Sequence, residues 1–302
     1  MRLMHCRAVR AAWETYVYSA YACGFFEGKR GRELRGRLAS RDPDDFRSAM
    51  AECLACWFLA GKHQFVVTAD APGRGAKVLD MAAVIVDQDV GIEVKAPRRE
   101  MPSAGEAWSG HDSDLLCHCL DAANKQFTDD VPNILVLVPE LRTPVYQLRV
   151  QLVTALYGEE KITCLIDTRT GGPAGPVTTE FFPEGKLLRR RQPSGALIKP
   201  DGSPSFTRIS AVIVIEEDMQ ERFPPPNPLL LADEETAHQI WPLWKRASDL
   251  YRGHDNVAWI DHHILVAHNP FACHPLNTEL FTEHIQFKDL GGGFGWSDGE
   301  PL

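Results

Sequence analysis

Asp80, Glu93 and Lys95 are residues whose types and spacing could do chemistry together. They lie in Leu79–Ala96, LDMAAVIVDQDVGIEVKA, which reads as a β-hairpin. An apolar strand runs to Val86, a polar turn falls at Asp87-Gln88-Asp89, and a second strand starts at Val90. Asp87 and Asp89 are read as turn formers, not ligands. Side chains alternate along a strand, so Glu93 and Lys95 share one face while Ile92, Val94 and Ala96 share the other. If the loop holds residues 87–88 or 86–89, Asp80 falls opposite Lys95, with Glu93 diagonal to both. Two carboxylates and an ammonium are then within side-chain reach. Clustered carboxylates repel unless a cation separates them, and oxygen ligands suit Mg²⁺ or Mn²⁺. Such an ion would activate water and neutralise charge on a phosphodiester under hydrolysis. Lys95 would orient or deprotonate that water, or stabilise transition-state charge. The competing expectation is a salt-bridged hairpin, with Lys95 paired to Asp80 or Glu93 and no chemistry.

In their order these residues resemble the signature of the PD-(D/E)XK nuclease superfamily. Asp80 stands on one strand and Glu93-Val94-Lys95 on the next; Glu52 lies in a helix upstream, Lys125-Gln126 in a helix downstream. The likeness covers about Pro43 to Asp167, and Val78-Leu79 stands where the family name has its proline. The resemblance implies a restriction-endonuclease-like α/β core, a mixed central sheet flanked by helices. It implies Mg²⁺ or Mn²⁺ held by Asp80, Glu93, Glu52 and the Val94 carbonyl, with Lys95 and Gln126 completing the catalytic set. Lys125 and Gln126 point about 100° apart on a helix, so one of them faces the site, and Gln126 is the choice. The implied substrate is nucleic acid, DNA ahead of RNA.

The elements that must position these residues are legible as patterns. Residues 1–28 read as an apolar helix and Arg30–Leu38 as a short basic one. Asp42-Pro43 is a helix start, with Asp as N-cap and Pro at the first helical position. Phe46, Met50, Cys53, Leu54, Trp57 and Phe58 then mark a stripe to about Ala60, with Glu52 at its edge. Gln64–Thr68 reads as a strand and Asp70–Lys77 as a Gly/Pro-rich loop without a P-loop pattern. Pro97–Gly110 is expected as a flap over the site. A helix from Asp112 or Ser113 to about Phe127, a buried strand at Asn133–Val138, a helix at 146–157 and a strand at 162–166 follow. We divide the chain into an N-terminal helical segment (1–42), a nuclease-like core (43–170), a linker or excursion (171–204) and an acidic β-rich C-terminal extension (205–302). Within the extension, Phe206–Ile215 and Val257–Ala267 read as strands, Asp233–Tyr251 as a capped helix, and the tail from Gly291 as loose.

The chain of 302 residues is 44% apolar, enough for a sizeable core, and holds no run long enough to span a bilayer. Its eight scattered cysteines are expected reduced, in a cytoplasm. The net charge of −9 excludes a protein that coats DNA. From Glu216 onward there are 5 basic and 15 acidic residues, so the acidity belongs to the C-terminal part. That part is expected to pack away from the site and to serve stability, a protein partner or a second copy. Lys29–Arg41 carries six basic residues against one acidic, and Lys29, Arg30, Arg35 and Arg37 are the expected phosphate contacts.

Two Cys/His-rich stretches compete for a metal. His111, Cys117, His118 and Cys119 are poorly spaced for zinc. Asp261-His262-His263, His268 and Cys273-His274 are denser, but local hydrogen bonds account for them more simply. Asp261-His262-His263 also resembles the DHH phosphoesterases, whose further aspartate motifs are missing. The functional expectation is a Mg²⁺-dependent nuclease. The alternatives are a catalytically inactive binding or assembly module of the same fold and, third, a DHH-like phosphoesterase.

Overall fold

The computed structural model describes residues 7–98, 113–139, 145–157, 159–163, 169–170, 178–182, 203–221, 257–289 and 294–297. The protein is mixed α/β, built on an eight-stranded sheet. Three helices open the chain: α1 (Arg7–Ala22), α2 (Gly28–Leu38) and α3 (Pro43–Cys56), the last continuing as a π-turn over Trp57–Lys62. The start of α3 is the capped one: Asp42 accepts a hydrogen bond from the Asp44 N–H at 2.9 Å, with Pro43 in the first turn. Strands β1 (Val66–Pro72), β2 (Val78–Ile85) and β3 (Gln88–Lys95) form an antiparallel meander. Helix α4 (Ser113–Asn124) leads to β4 (Asn133–Leu137), which pairs parallel with β3. After α5 (Val145–Tyr157), β5 (Glu159–Thr163) and β6 (Thr178–Phe182) make a separate antiparallel pair.

The strands after residue 205 continue the same sheet. β7 (Ala211–Glu221) pairs parallel with β4, and β8 (Val257–His268) pairs antiparallel with β7. β9 (Ile285–Asp289) and β10 (Phe294–Ser297) extend it, giving the order β1-β2-β3-β4-β7-β8-β9-β10. The C-terminal part therefore supplies half of the sheet's strands. Two expectations change with this. Phe294–Ser297 in the tail is strand, and Thr178–Phe182 within the expected linker is strand, both carrying β-favouring Thr or aromatic residues. The expected flap from residue 99, His111, and the expected helix at 233–251 lie outside the described residues.

One face of the sheet (Met81, Ala83, Ile85, Ile92, Ile134, Ile213, Val266) packs with Phe25, Leu54, Phe58 and Leu59 of the N-terminal layer. The other (Leu135, Leu137, Val212, Val214, Leu265) packs with Leu116, Leu120, Phe127 and Leu156 of the α4 and α5 regions. Being covered on both sides explains why β4, with all five residues buried, reads as a continuous apolar run. Asn133 opens β4 fully buried, its Nδ2 donating to the Thr128, Val131 and Arg208 carbonyls at 3.0, 2.8 and 3.0 Å. Gly91 passes beside it. A Cβ there would lie 2.5 Å from Asn133 Oδ1 and 2.7 Å from a Leu79 methyl, so only glycine lets β3 run so close.

The hairpin turn is Val86-Asp87, with φ of +49° and +59°, as a two-residue turn between twisted strands requires. The expected turn, Asp87-Gln88-Asp89, is thus displaced toward the N-terminus. A valine at positive φ is a costly choice that turn chemistry gives no reason to expect. The register runs Met81 to Ile92 and Val84 to Asp89. It ends before Asp80, so the expected pairing of Asp80 with Lys95 does not form, and the Asp80 side chain instead bonds the Val94 N–H; all three residues still gather at the same end of the hairpin.

Candidate active site

The β2–β3 ladder ends at Met81–Ile92, which frees the backbone N–H of Val94. Asp80 takes it: Oδ2 accepts from Val94 N at 2.8 Å. Asp80 Oδ1 accepts from Arg30 Nη2, also at 2.8 Å. Both oxygens are thereby fixed, one by the strand and one by α2.

Glu93 is 2% exposed. Its Oε1 accepts from Lys95 Nζ, and from Gln126 Nε2 at 2.7 Å. Its Oε2 is buried with no hydrogen-bond partner among the described residues. Burial and the nearby Asp80 carboxylate push the Glu93 carboxyl up to about 7, against the pull of Lys95. Gln126 reaches Glu93 because the chain after α4 is braced from the β1–β2 loop. Gln126 O accepts the Arg74 N–H at 2.7 Å, and Lys77 Nζ donates to Lys125 O at 3.2 Å. Gly73 fits this contact because a Cβ would lie 3.0 Å from Gln126 O.

Glu52 projects from α3 into a buried position, 4% exposed. Arg37 donates to it twice, Nη1 to Oε1 at 2.7 Å and Nη2 to Oε2 at 3.1 Å. Arg30 Nη2 adds a bond to Oε2 at 2.9 Å, and Arg30 Nε lies 3.6 Å from Asp70. Burial pushes the Glu52 carboxyl up, and the two guanidiniums pull it back. Burial alone would lower the Arg30 pKa, but Glu52, Asp80 and Asp70 overcome it and hold the group charged.

The structure therefore brings Glu52, Asp80, Glu93, Lys95 and Gln126 into one connected network. Arg30 joins its halves by bonding both Glu52 and Asp80. Of the four basic residues expected at phosphates, Arg30 and Arg37 turn inward, seven apart on one face of α2. Lys29 stays outside, its side chain 86% exposed, and Arg35 bonds the Phe26 carbonyl from an exposed position. No sequence rule separates the inward arginines from the outward ones in GKRGRELRGRL, because all lie in one basic run.

A divalent ion fits this donor set. Glu93 Oε2, without a hydrogen-bond partner among the described residues, lies beside the carboxylate of Asp80, whose backbone helps hold Glu93 ionised, and together they make an all-oxygen arrangement. Glu52 is already engaged by three guanidinium hydrogen bonds.

The histidines of β8 do other work. His262 Nε2 lies 2.6 Å from the Tyr16 hydroxyl, which donates to Glu217 at 2.9 Å, and its ring lies tilted at 37° against Trp57. His268 Nε2 bonds Gln286 Oε1 at 2.8 Å, and His274 Nε2 meets the Asp129 carbonyl. Among the described residues, His63, Glu283 and His284 stand at metal-ligand spacing, unsignalled in sequence because His63 is 221 residues from His284. No helix of the described residues is long and apolar enough to cross a membrane. Compared with known proteins, the chain matches no family model, no curated protein and no solved structure.

Proposed function

We propose that the protein is a Mg²⁺- or Mn²⁺-dependent nuclease with a PD-(D/E)XK-type, restriction-endonuclease-like core, acting on nucleic acid and on DNA first. The observation that carries this reading is the buried Glu93 Oε2 beside Asp80, without a hydrogen-bond partner among the described residues, with Lys95 and Gln126 converging on the same carboxylate. Strand-Asp, strand-Glu-x-Lys, upstream helix-Glu and downstream Gln meet in the order the sequence resemblance leads one to expect.

Asp80 and Glu93 are the residues that would hold the ion, with the Val94 carbonyl between Glu93 and Lys95 in the chain. When bound, the ion supplies Lewis-acid neutralisation of the phosphoryl oxygens and lowers the pKa of water. The chain's own residues do the rest. Gln126 fixes the Glu93 rotamer through its amide donor. Lys95 is 29% exposed, so its ammonium can bond Glu93 and still reach the open side, to orient water or stabilise charge at the phosphoryl group. Arg30 immobilises Asp80 from behind. Lys29 and Arg35, on the outer side of α2, would follow the backbone phosphates.

The test is cleavage of single- and double-stranded DNA and RNA, with Mg²⁺ or with chelator. Wild type should cut only with the metal; Asp80→Asn and Lys95→Ala should lose about 100-fold or more while circular dichroism stays unchanged. Full activity in Lys95→Ala refutes the assignment.

A second reading has its own observation. Arg30 and Arg37 neutralise Glu52 and Asp80, and Lys95 pairs with Glu93, without any ion. A binding or assembly module of the same fold would look so. Calorimetric titration with Mg²⁺ separates the two, since only the nuclease binds it at this site.

A further inference from the structure

His63, Glu283 and His284 come from two distant parts of the chain. His63 follows the π-turn at the end of α3, its N–H bonded to Phe58 O at 3.2 Å. Glu283 and His284 precede β9, with the His284 N–H on Phe281 O at 2.9 Å. His63 Nε2 lies 3.2 Å from His284 Nε2. Glu283 Oε1 lies 3.2 Å from His63 Nδ1 and 3.3 Å from His284 Nε2. The three side chains are 10%, 17% and 7% exposed.

Without an ion, a proton on His284 Nε2 can bridge the two imidazoles and a proton on His63 Nδ1 can bond Glu283. A cation satisfies all three donors together. With bonds of about 2.0 to 2.1 Å, the edge of a tetrahedral zinc site is about 3.3 Å. The His63 Nε2–His284 Nε2 and His284 Nε2–Glu283 Oε1 spacings match it, the 3.2 Å contact of Glu283 with His63 is to the other ring nitrogen, and one ligand atom from each residue lies within 4.8 Å of the other two. Phe58, Phe65 and Phe281 surround the His63 ring, with centroids at 4.6, 5.5 and 4.9 Å, and form a dry wall on one side. Lys62 is the adverse charge nearby, and it is exposed, so its ammonium can swing away. Two nitrogens and one oxygen suit zinc-type ions and not Mg²⁺, which asks for oxygen alone.

We propose that His63, Glu283 and His284 bind a zinc-type divalent transition ion, at a site separate from the Asp80–Glu93 cluster. The separation follows from the sheet: His63 lies just before Val66, which pairs with Val84, whereas Asp80 lies toward the other end of β2. Three protein ligands leave a fourth position for water, on the side of Glu283, the most exposed of the three. The ion ties the N-terminal helical layer to the last strands of the sheet.

The test uses the full chain, stripped with chelator and titrated with Co²⁺ as the optical probe. Wild type should develop the intense visible bands of tetrahedral Co²⁺ at one equivalent, and Zn²⁺ but not excess Mg²⁺ should abolish them. Glu283→Gln should weaken binding about tenfold or more, and His284→Gln should remove the bands. Should a variant misfold, X-ray absorption of the wild-type zinc complex decides instead. Two imidazoles with oxygen support the site; sulfur ligation overturns it. Absence of tetrahedral bands in wild type, or their survival in His284→Gln, also overturns it.

Discussion

Replacing Glu93 by glutamine separates a carboxylate poised for a metal from one that only completes an ion pair. In the folded chain this carboxyl titrates near 7, against an ordinary value of 4.5. The folded state therefore holds the proton more tightly than the unfolded one. The stability so gained is fully present below about 4.5 and is lost as pH rises through about 7. At about 1.4 kcal/mol per tenfold, the buried anion at pH 8 costs about 3 kcal/mol relative to a neutral group. Glu93 is 2% exposed, so solvent screening reduces this little. The amide introduced by Glu93→Gln would keep Oε1 as the acceptor for Lys95 and Gln126, and the charge assistance it forfeits is already contained in the shift. Glu93→Gln should thus be more stable than wild type by up to about 3 kcal/mol at pH 8 without metal, raising Tm by up to about 5 °C. At pH 5 the gap should shrink to about 1 kcal/mol or less. Mg²⁺ should raise the Tm of wild type and leave the variant unmoved. Differential scanning calorimetry at both pH values, with chelator and then with Mg²⁺, reads all of this. If Glu93→Gln instead loses about 3 to 5 kcal/mol at pH 8, as when a buried pair is broken, the carboxylate is structural and the reasoning fails.

Arg30 is 20% exposed and neutralises two carboxylates, so Arg30→Gln should cost about 2 to 4 kcal/mol near pH 8. The loss should shrink as pH falls, because burial already pushes the Glu52 carboxyl up; urea midpoints across the pH range check this. Reversing Lys29 and Arg35 to Glu should weaken nucleic-acid binding alike for all sequences. The slope of log affinity against log salt should flatten by about one per lost phosphate contact, and an unchanged slope leaves these residues as solvated surface.

What the sequence made legible is what depends on local pattern. The cap at Asp42-Pro43, the stripe of α3, the alternation of β3 and the apolar run of β4 each report their own element. So do Glu93 and Lys95 on one face. What was not legible depends on tertiary partners. The turn moved to Val86-Asp87 because the β2–β3 pairing accepts a positive-φ valine there. Arg30 and Arg37 turn inward because Glu52 waits beneath α2, a fact no charge count contains. Acidic composition set residues 205–302 apart, yet β7 pairs with β4, because hydrogen bonding between strands ignores net charge.

The parallel pairing of β4 with β7 also sets an order for how the chain reaches its native state. β1, β2 and β3 are contiguous and antiparallel, so the meander carrying Asp80, Glu93 and Lys95 closes only short loops. The pairing of Ile134 with Ala211 must close a far longer one, and the meeting of His63 with His284 spans 221 residues. Contacts of such sequence separation slow folding, because loop entropy is lost before they reward it. The strand half of the carboxylate site thus belongs to the fast, local part of folding, and the histidine pair to its completion. During synthesis, the first could assemble before the last strands exist, whereas the second records that both ends of the chain have met.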